Sequence, residues 1–263
     1  MVTKIEVGDS EIVAERFGSG EPIVVLHGEP GPDLARPFVE ILAKGHEVHV
    51  PRHVGWPETL RGDQIKTVRD VALVAQEYIE GLGKPVAVVG LSFGGWVGLE
   101  IAAVAPKLIS SLALVSPIGV KIGGREDRDF QDLYILPEPE REALYYRPGG
   151  LPAVKDGEKD PYLEKAIADV AIARYCWQPY MHDPGLPARL RRIQASTLII
   201  SGDQDRFILN PEYYQKFTGL IPGARHQVIA NTGHRAEEEQ PAKVADIVTS
   251  FLARSRLEQT ATA

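Results

Sequence analysis

Pro85-Val86-Ala87-Val88-Val89-Gly90-Leu91-Ser92-Phe93-Gly94-Gly95 is the stretch that decides the fold. A Val-rich apolar run stops at Gly-x-Ser-x-Gly, and a small-residue pattern suited to a helix follows at once. Strand, sharp turn and helix in that order place Ser92 at the apex of the turn. Its hydroxyl then stands above the end of a parallel sheet. Gly90 and Gly94 fit there because a side chain at either position would crowd a strained turn. The five residues alone are a weak signal, and the flanking strand and helix give them weight.

Working outward, Lys4–Val7 and Glu11–Phe17 alternate in polarity and read as an antiparallel pair joined through Gly8-Asp9-Ser10. Ile23–Leu26 is a continuous apolar run, the mark of a strand buried on both faces. It ends in the loop His27-Gly28-Glu29-Pro30-Gly31-Pro32. A helix is expected from about Asp33 to Lys44, then a strand through Val48 and Val50. Asp63 to Leu82 carries apolar residues at three- and four-residue steps and reads as a helix, with Gly83 at its stop. Further strands are expected at Ser110–Val115, Ser196–Ser201 and Gln227–Ala230. Helices are expected from Asn210-Pro211 and from Pro241 to Ala253. Strands alternating with helices imply an α/β fold, with a mainly parallel central sheet and helices on both faces.

One stretch breaks the rhythm. From about Gly119 to Leu186 the apolar strands vanish, and prolines, charges and aromatics (Tyr134, Tyr145, Tyr146, Tyr162, Tyr175, Trp177, Tyr180) take over. A segment that long is expected to fold as a unit of its own. The expected organisation is a core of residues 1–118 and 187–263 with a helical cap insert at 119–186.

The chain has 263 residues, 44% hydrophobic and 25% charged, as a soluble globular enzyme does. The net charge of −7 argues against a nucleic-acid or anionic-membrane partner. Cys176 is the single cysteine, so no intrachain disulfide forms, and a buried apolar role suits it. The N-terminus lacks the basic start and apolar core of a signal peptide. No apolar run approaches the roughly 20 residues that span a bilayer. Cytoplasmic residence is the resulting expectation, and the polar tail from Arg254 to Ala263 is expected to fray.

A serine hydroxyl is a poor nucleophile until a base takes its proton, and the base is usually a histidine oriented by a carboxylate. Two loops after downstream strands supply such residues: Gly202-Asp203-Gln204-Asp205-Arg206 and Asn231-Thr232-Gly233-His234. The order Ser92, Asp205, His234 is the one expected for this kind of sheet. Asp203 competes with Asp205, with loop stabilisation as its other reading. His27 reads as a brace for its loop. His46, His49 and His53 are spaced so that they do not share one face, which argues against a metal cluster. Glu237-Glu238-Glu239 reads as a solvated start to a helix.

Four motifs in order, each after an expected strand, carry a resemblance: His27-Gly28-Glu29-Pro30-Gly31, Gly90-Leu91-Ser92-Phe93-Gly94-Gly95, Gly202-Asp203-Gln204-Asp205 and Gly233-His234. The chain resembles the α/β-hydrolase fold superfamily along nearly its whole length. It is most similar to capped serine hydrolases of the group holding meta-cleavage-product hydrolases, small esterases and amidases. The resemblance implies Ser92 as nucleophile, His234 as general base and acid, and Asp205 as the orienting carboxylate. It implies backbone N–H groups of Phe93 and Glu29 as the oxyanion donors; prolines 30 and 32 have no N–H to give. Haloalkane dehalogenases carry similar His-Gly-Glu-Pro wording but use an aspartate nucleophile, as epoxide hydrolases do, and Ser92 excludes both chemistries.

The expected activity is hydrolysis of a small ester, lactone or related acyl compound through an acyl-enzyme. The rivals are a carbon–carbon bond hydrolase, less favoured by Glu29-Pro30-Gly31, a non-hydrolytic cyclase, and a small-molecule receptor built on the same fold. The side chain of Glu29 would repel carboxylate substrates, orient a polar one or point to solvent. Trp177 and Tyr180 are expected either to line the substrate pocket or to pack cap on core. No metal or organic cofactor is implied, and the expected partner is a small-molecule substrate, with the chain a monomer or homodimer.

Overall fold

The structure is a computed structural model that describes residues 1–150 and 162–262. The strands are β1 (Val2–Val7), β2 (Ser10–Gly18), β3 (Pro22–Leu26), β4 (Glu47–Pro51), β5 (Val86–Leu91), β6 (Ile109–Val115), β7 (Ser196–Gly202) and β8 (Arg225–Ile229). They form one sheet in the spatial order β1-β2-β4-β3-β5-β6-β7-β8. The β1–β2 and β2–β4 pairs are antiparallel, and every pair from β4 onward is parallel. The α/β reading with a mainly parallel sheet therefore holds.

Helices α1 (Arg36–Leu42), α2 (Val68–Glu80) and α3 (Phe93–Val104) lie within the first half of the chain. The second half carries α4 (Glu138–Tyr145), α5 (Tyr162–Cys176), α6 (Leu186–Leu190), α7 (Tyr213–Thr218), α8 (Ala236–Glu239) and α9 (Pro241–Thr262). α1 packs on α9 on one face, and α2 packs on α3 on the other. Side chains alternate across a strand, so β3 feeds both faces. Val24 and Leu26 enter the core under α2 and α3, while Ile23 and Val25 enter the core under α1 and α9. Both faces are covered, which explains why β3 and β5 read as unbroken apolar runs.

The strand order reverses between β3 and β5. From β3 the chain moves outward through α1 to β4, and from β5 it moves the other way to β6, β7 and β8. Leu26 and Gly90 are paired across that boundary, so the loops leaving β3 and β5 separate and open a crevice at the strand ends. The His27-Gly28-Glu29 loop and Ser92 both sit at this point.

Several helix boundaries differ from the sequence expectation, and two of the differences have a clear physical cause. α2 starts at Val68, later than Asp63, because Thr67 caps it: the Thr67 Oγ1 accepts the Asp70 amide and the Asp70 carboxylate accepts the Thr67 amide. At the other end, the tail expected to fray continues α9 to Thr262. Ser255 is fully buried, Arg256 pairs with Glu21 at 3.3 Å and Gln259 donates to the Ser110 carbonyl at 2.7 Å. Those contacts hold the last turns on the sheet edge.

Of the expected insert, residues 151–161 lie outside the described residues. The described part contains α4 and α5. It is tied to the core where Phe130 bridges Ile208 and where the Tyr175 hydroxyl donates to the Val54 carbonyl at 2.9 Å, while the Gly119–His182 bridge joins its own two ends. Among the described residues no helix is long and apolar enough to cross a membrane.

Replacing Thr67 by Ala removes one half of the α2 capping box. A loss of about 1 kcal/mol is expected, read as a thermal midpoint lower by about 2 to 4 °C.

Candidate active site

Ser92 follows β5 directly and precedes the first residue of α3. Its φ of 44° lies in the left-handed region, which a residue with a side chain enters only under constraint. The constraint is close backbone packing. A Cβ on Gly94 would lie 2.0 Å from the Leu26 carbonyl oxygen, and one on Gly90 would lie 2.6 Å from the Gly95 Cα. Only glycine allows α3 to come this near β3 and β5, and that approach lifts Ser92 into the crevice. The Ser92 amide donates to the Val115 carbonyl at 2.8 Å, which fixes the turn to β6 as well.

The structure brings Ser92, His234 and Asp205 together. Ser92 Oγ lies 2.8 Å from His234 Nε2, and His234 Nδ1 lies 2.8 Å from Asp205 Oδ2. Asp205 follows β7 and His234 follows β8, so the three groups come from three loops at the same edge of the sheet. Burial by itself pushes the Asp205 carboxyl up. The charge and hydrogen bond of His234, the Tyr214 hydroxyl and the Ile208 amide outweigh it and hold the group below its usual value. An ionised Asp205 accepts, so His234 Nδ1 carries the proton and Nε2 faces the serine. Asp203 does not reach the imidazole; its Oδ1 accepts the Thr232 amide at 3.2 Å and braces the loop.

Phe93 is the first residue of α3, where an amide has no carbonyl of its own helix to bond and the helix dipole favours negative charge. The Glu29 peptide is held within the loop after β3. Its carbonyl accepts Trp56 Nε1–H at 2.9 Å, and the Gly31 amide closes a turn onto the Gly28 carbonyl at 3.2 Å. His27 braces the same loop. Its Nε2 accepts the His53 amide at 2.9 Å, so Nδ1 is the protonated nitrogen and donates to the Gly28 carbonyl at 2.8 Å. Burial, then the neighbouring His53, pushes the His27 pKa well down, and burial takes His53 to about 4. Both rings are neutral braces. His49 instead hydrogen-bonds Tyr78 at 2.7 Å, and among the described residues no group of three such side chains is placed to hold a metal ion.

The side chain of Glu29 turns inward. It is 6% exposed, and Ser92 Oγ lies 2.5 Å from its Oε1. It also lines a cavity of about 160 Å³, with Pro30, Leu133, Tyr145, Ile172 and Arg235 among the other walls. Trp177 and Tyr180 are not part of that wall. Trp177 is 58% exposed and stands edge-on to Tyr134. Tyr180 is spent on packing the insert, donating to the Gln131 carbonyl at 2.7 Å and accepting the Leu133 amide at 3.0 Å. Of the two expected roles, Tyr180 takes the packing one, and neither ring is among the residues that line this cavity.

The sequence also misread the acidic run. Glu237, Glu238 and Glu239 are buried rather than solvated. Glu239 accepts the Gly233 amide at 2.5 Å and the Arg147 amide at 3.2 Å, and Glu238 accepts the Tyr146 hydroxyl at 2.5 Å. Together they fasten the His234 loop to the segment after α4. Arg235 lies over the Tyr145 ring at 4.1 Å and pairs with Glu142 at 3.2 Å. The one signal in the sequence was an arginine between His234 and three acids, a cation able to neutralise them once buried.

This arrangement of sheet, strained serine turn and three-loop constellation defines an α/β hydrolase. The alpha/beta hydrolase family model matches residues 23–247, and the chain belongs to that family. Among similar proteins, one of Mycobacterium tuberculosis bearing the name of a non-heme bromoperoxidase, BpoC, is 28% identical over 263 residues, covering 90% of this chain and 95% of that one. Lipase 1 of Psychrobacter immobilis is 24% identical, covering 95% of this chain and 82% of that one. The crystal structure of a serine hydrolase involved in carbazole degradation, the CarC enzyme, superposes with a TM-score of 0.76 at 21% identity. That match covers 96% of this chain and 98% of that one, and it shows the shared fold.

The Asp205 carboxylate links the site to stability. Its pKa is lower in the fold than in the unfolded chain, so the unfolded chain binds its proton first as pH falls. The stabilisation is complete above the unfolded carboxylate range and is lost as pH drops through the folded value. Asp205→Asn removes this dependence. Urea unfolding followed below about pH 4 is expected to show a shallower loss of stability in the variant than in the wild type.

Proposed function

We propose that the protein is a serine hydrolase acting on a small ester, lactone or related acyl compound. The carrying observation is the continuous hydrogen-bond line from Ser92 through His234 to Asp205, built on a serine held at positive φ. Ser92 Oγ attacks the acyl carbon while His234 Nε2 takes its proton, and Asp205 holds the imidazole by its Nδ1–H and balances the charge that forms. The carbonyl oxygen becomes an oxyanion between the backbone N–H groups of Phe93 and Glu29. One such donor contributes about 3 kcal/mol to the transition state. His234 then returns its proton to the leaving group. Water activated by the same ring releases the acyl group from Ser92 and regenerates the hydroxyl.

The wall of the cavity supports a small acyl substrate. Leu133 and Ile172 offer apolar surface, and Arg235 and Glu29 offer polar ends. A lipase among the relatives of similar length agrees with ester chemistry. The segment 119–186 serves as the cap in this reading, since Leu133, Tyr145 and Ile172 of that segment form part of the wall.

A fluorophosphonate probe tests the reading without knowledge of the substrate. The wild-type protein is expected to be labelled at Ser92. Ser92→Ala is expected to lose labelling and to hydrolyse nitrophenyl esters about a thousandfold or more slowly, with an unchanged thermal midpoint. Labelling of Ser92→Ala at the wild-type rate would falsify the assignment.

A further inference from the structure

A serine hydroxyl has one proton and donates one hydrogen bond. Ser92 Oγ nevertheless meets two partners, Glu29 Oε1 at 2.5 Å and His234 Nε2 at 2.8 Å. The protons elsewhere in the site are already placed. Asp205 is held ionised and accepts from Tyr214, from the Phe207 and Ile208 amides and from His234 Nδ1. With His234 neutral, its Nε2 is a lone pair and takes the Ser92 proton. Glu29 Oε1 would then face a second oxygen lone pair at 2.5 Å, a separation that oxygens reach only with a proton between them.

Two arrangements supply that proton. Either Glu29 Oε1–H donates to Ser92 Oγ and Ser92 donates to His234, or His234 donates from Nε2 and Ser92 donates to an ionised Glu29. Both contain the same protons, one more than a serine, a neutral histidine and an ionised aspartate hold by themselves.

The surroundings of Glu29 favour keeping it. Its Oε2 is buried with no hydrogen-bond partner, which is far more costly on a carboxylate than on a neutral acid. Glu237 and Glu238 of α8 act on it as like charges, and Asp33 of the loop after β3 and Glu142 of α4 line the same cavity, Asp33 being paired with Arg36 at 3.1 Å and Arg52 at 3.2 Å. Arg235 opposes them but is engaged by Glu142 at 3.2 Å and Glu238 at 3.7 Å, and Arg141 on the same cavity is engaged by Asp169 at 2.7 Å. Tyr145 of α4, Cys176 of α5 and Tyr180 complete the circle, each kept neutral by burial first of all.

We propose that Glu29 is a positioning residue that holds one extra proton in the resting site and with it directs the Ser92 hydroxyl to His234. This rests on Ser92 being the nucleophile. During attack the Oγ–H proton passes to Nε2 and the Oε1–H proton stays on Glu29. When the extra proton leaves to solvent, the carboxylate accepts the Ser92 proton in its turn, and His234 loses the donor that it has to deprotonate. The protein therefore has an alkaline form in which the nucleophile is turned away from its base.

The test is the rate at which a fluorophosphonate probe labels Ser92, followed against pH for the wild type and Glu29→Gln. The substitution keeps the backbone N–H, and its amide N–H can donate to Oγ but cannot leave. The wild-type rate is expected to rise, pass a maximum and then fall by about tenfold per pH unit. The Glu29→Gln rate is expected to rise to a plateau. A wild-type rate that reaches a plateau without falling overturns the proposal, whatever the variant does. So does an alkaline fall that persists in Glu29→Gln, which would assign it to another group such as Glu237, pushed up to about 8 by burial and by Glu238. Absence of labelling at Ser92 at every pH removes the nucleophile, and this proposal with it. Labelling at Ser92 without the alkaline fall removes the role of Glu29 alone.

Discussion

The contact of α3 with the ends of β3 and β5 is the constraint from which the rest follows. Backbone meets backbone there, with no room for a methyl group at Gly90 or Gly94. The approach forces positive φ on Ser92 and sets the height at which its hydroxyl leaves the sheet. It also sits where the strand order reverses, so the loops after β3 and β5 part at that level. Asp205 and His234 then need only to end β7 and β8 on the same side. A parallel sheet guarantees this, since its strands all end at one edge.

The fold was legible in the sequence because its strands are buried on both faces and its helices are amphipathic. Unbroken apolar runs at Ile23–Leu26 and Val86–Val89 announce parallel strands, and the steps of three and four in α2 announce a helix resting on them. Asp205 and His234 were legible because loops after strands have few residues and the chemistry restricts their types. What escaped was any feature set by direction rather than by position. Trp177 and Tyr180 belong to an insert with no regular period, so nothing in the sequence says which way their rings turn. The run Glu237–Glu239 was misread for a related reason. Three adjacent acids suggest solvent until the amides of Gly233 and Arg147 and the charge of Arg235 are known to lie beside them.

Glu29 stands between these cases. Its backbone place was fixed by the motif after β3, while its side chain had three open directions. The buried one is imposed by the turn: Trp56 holds the carbonyl and His27 holds the preceding peptide, so the loop has little freedom to rotate the carboxyl outward.

The Tyr145-Arg235 pair has a mechanical consequence. His234 lies between the Phe207 ring of the core, 4.9 Å away, and the Tyr145 ring of α4, 5.7 Å away. The Arg235 amide donates to the Tyr145 carbonyl at 3.0 Å, and its guanidinium covers the same ring. The imidazole has a floor that belongs to the sheet and a ceiling that belongs to the insert. Any displacement of α4 is therefore felt at the ring, and a change in the insert alters how freely the histidine can swing as well as what fits above the serine.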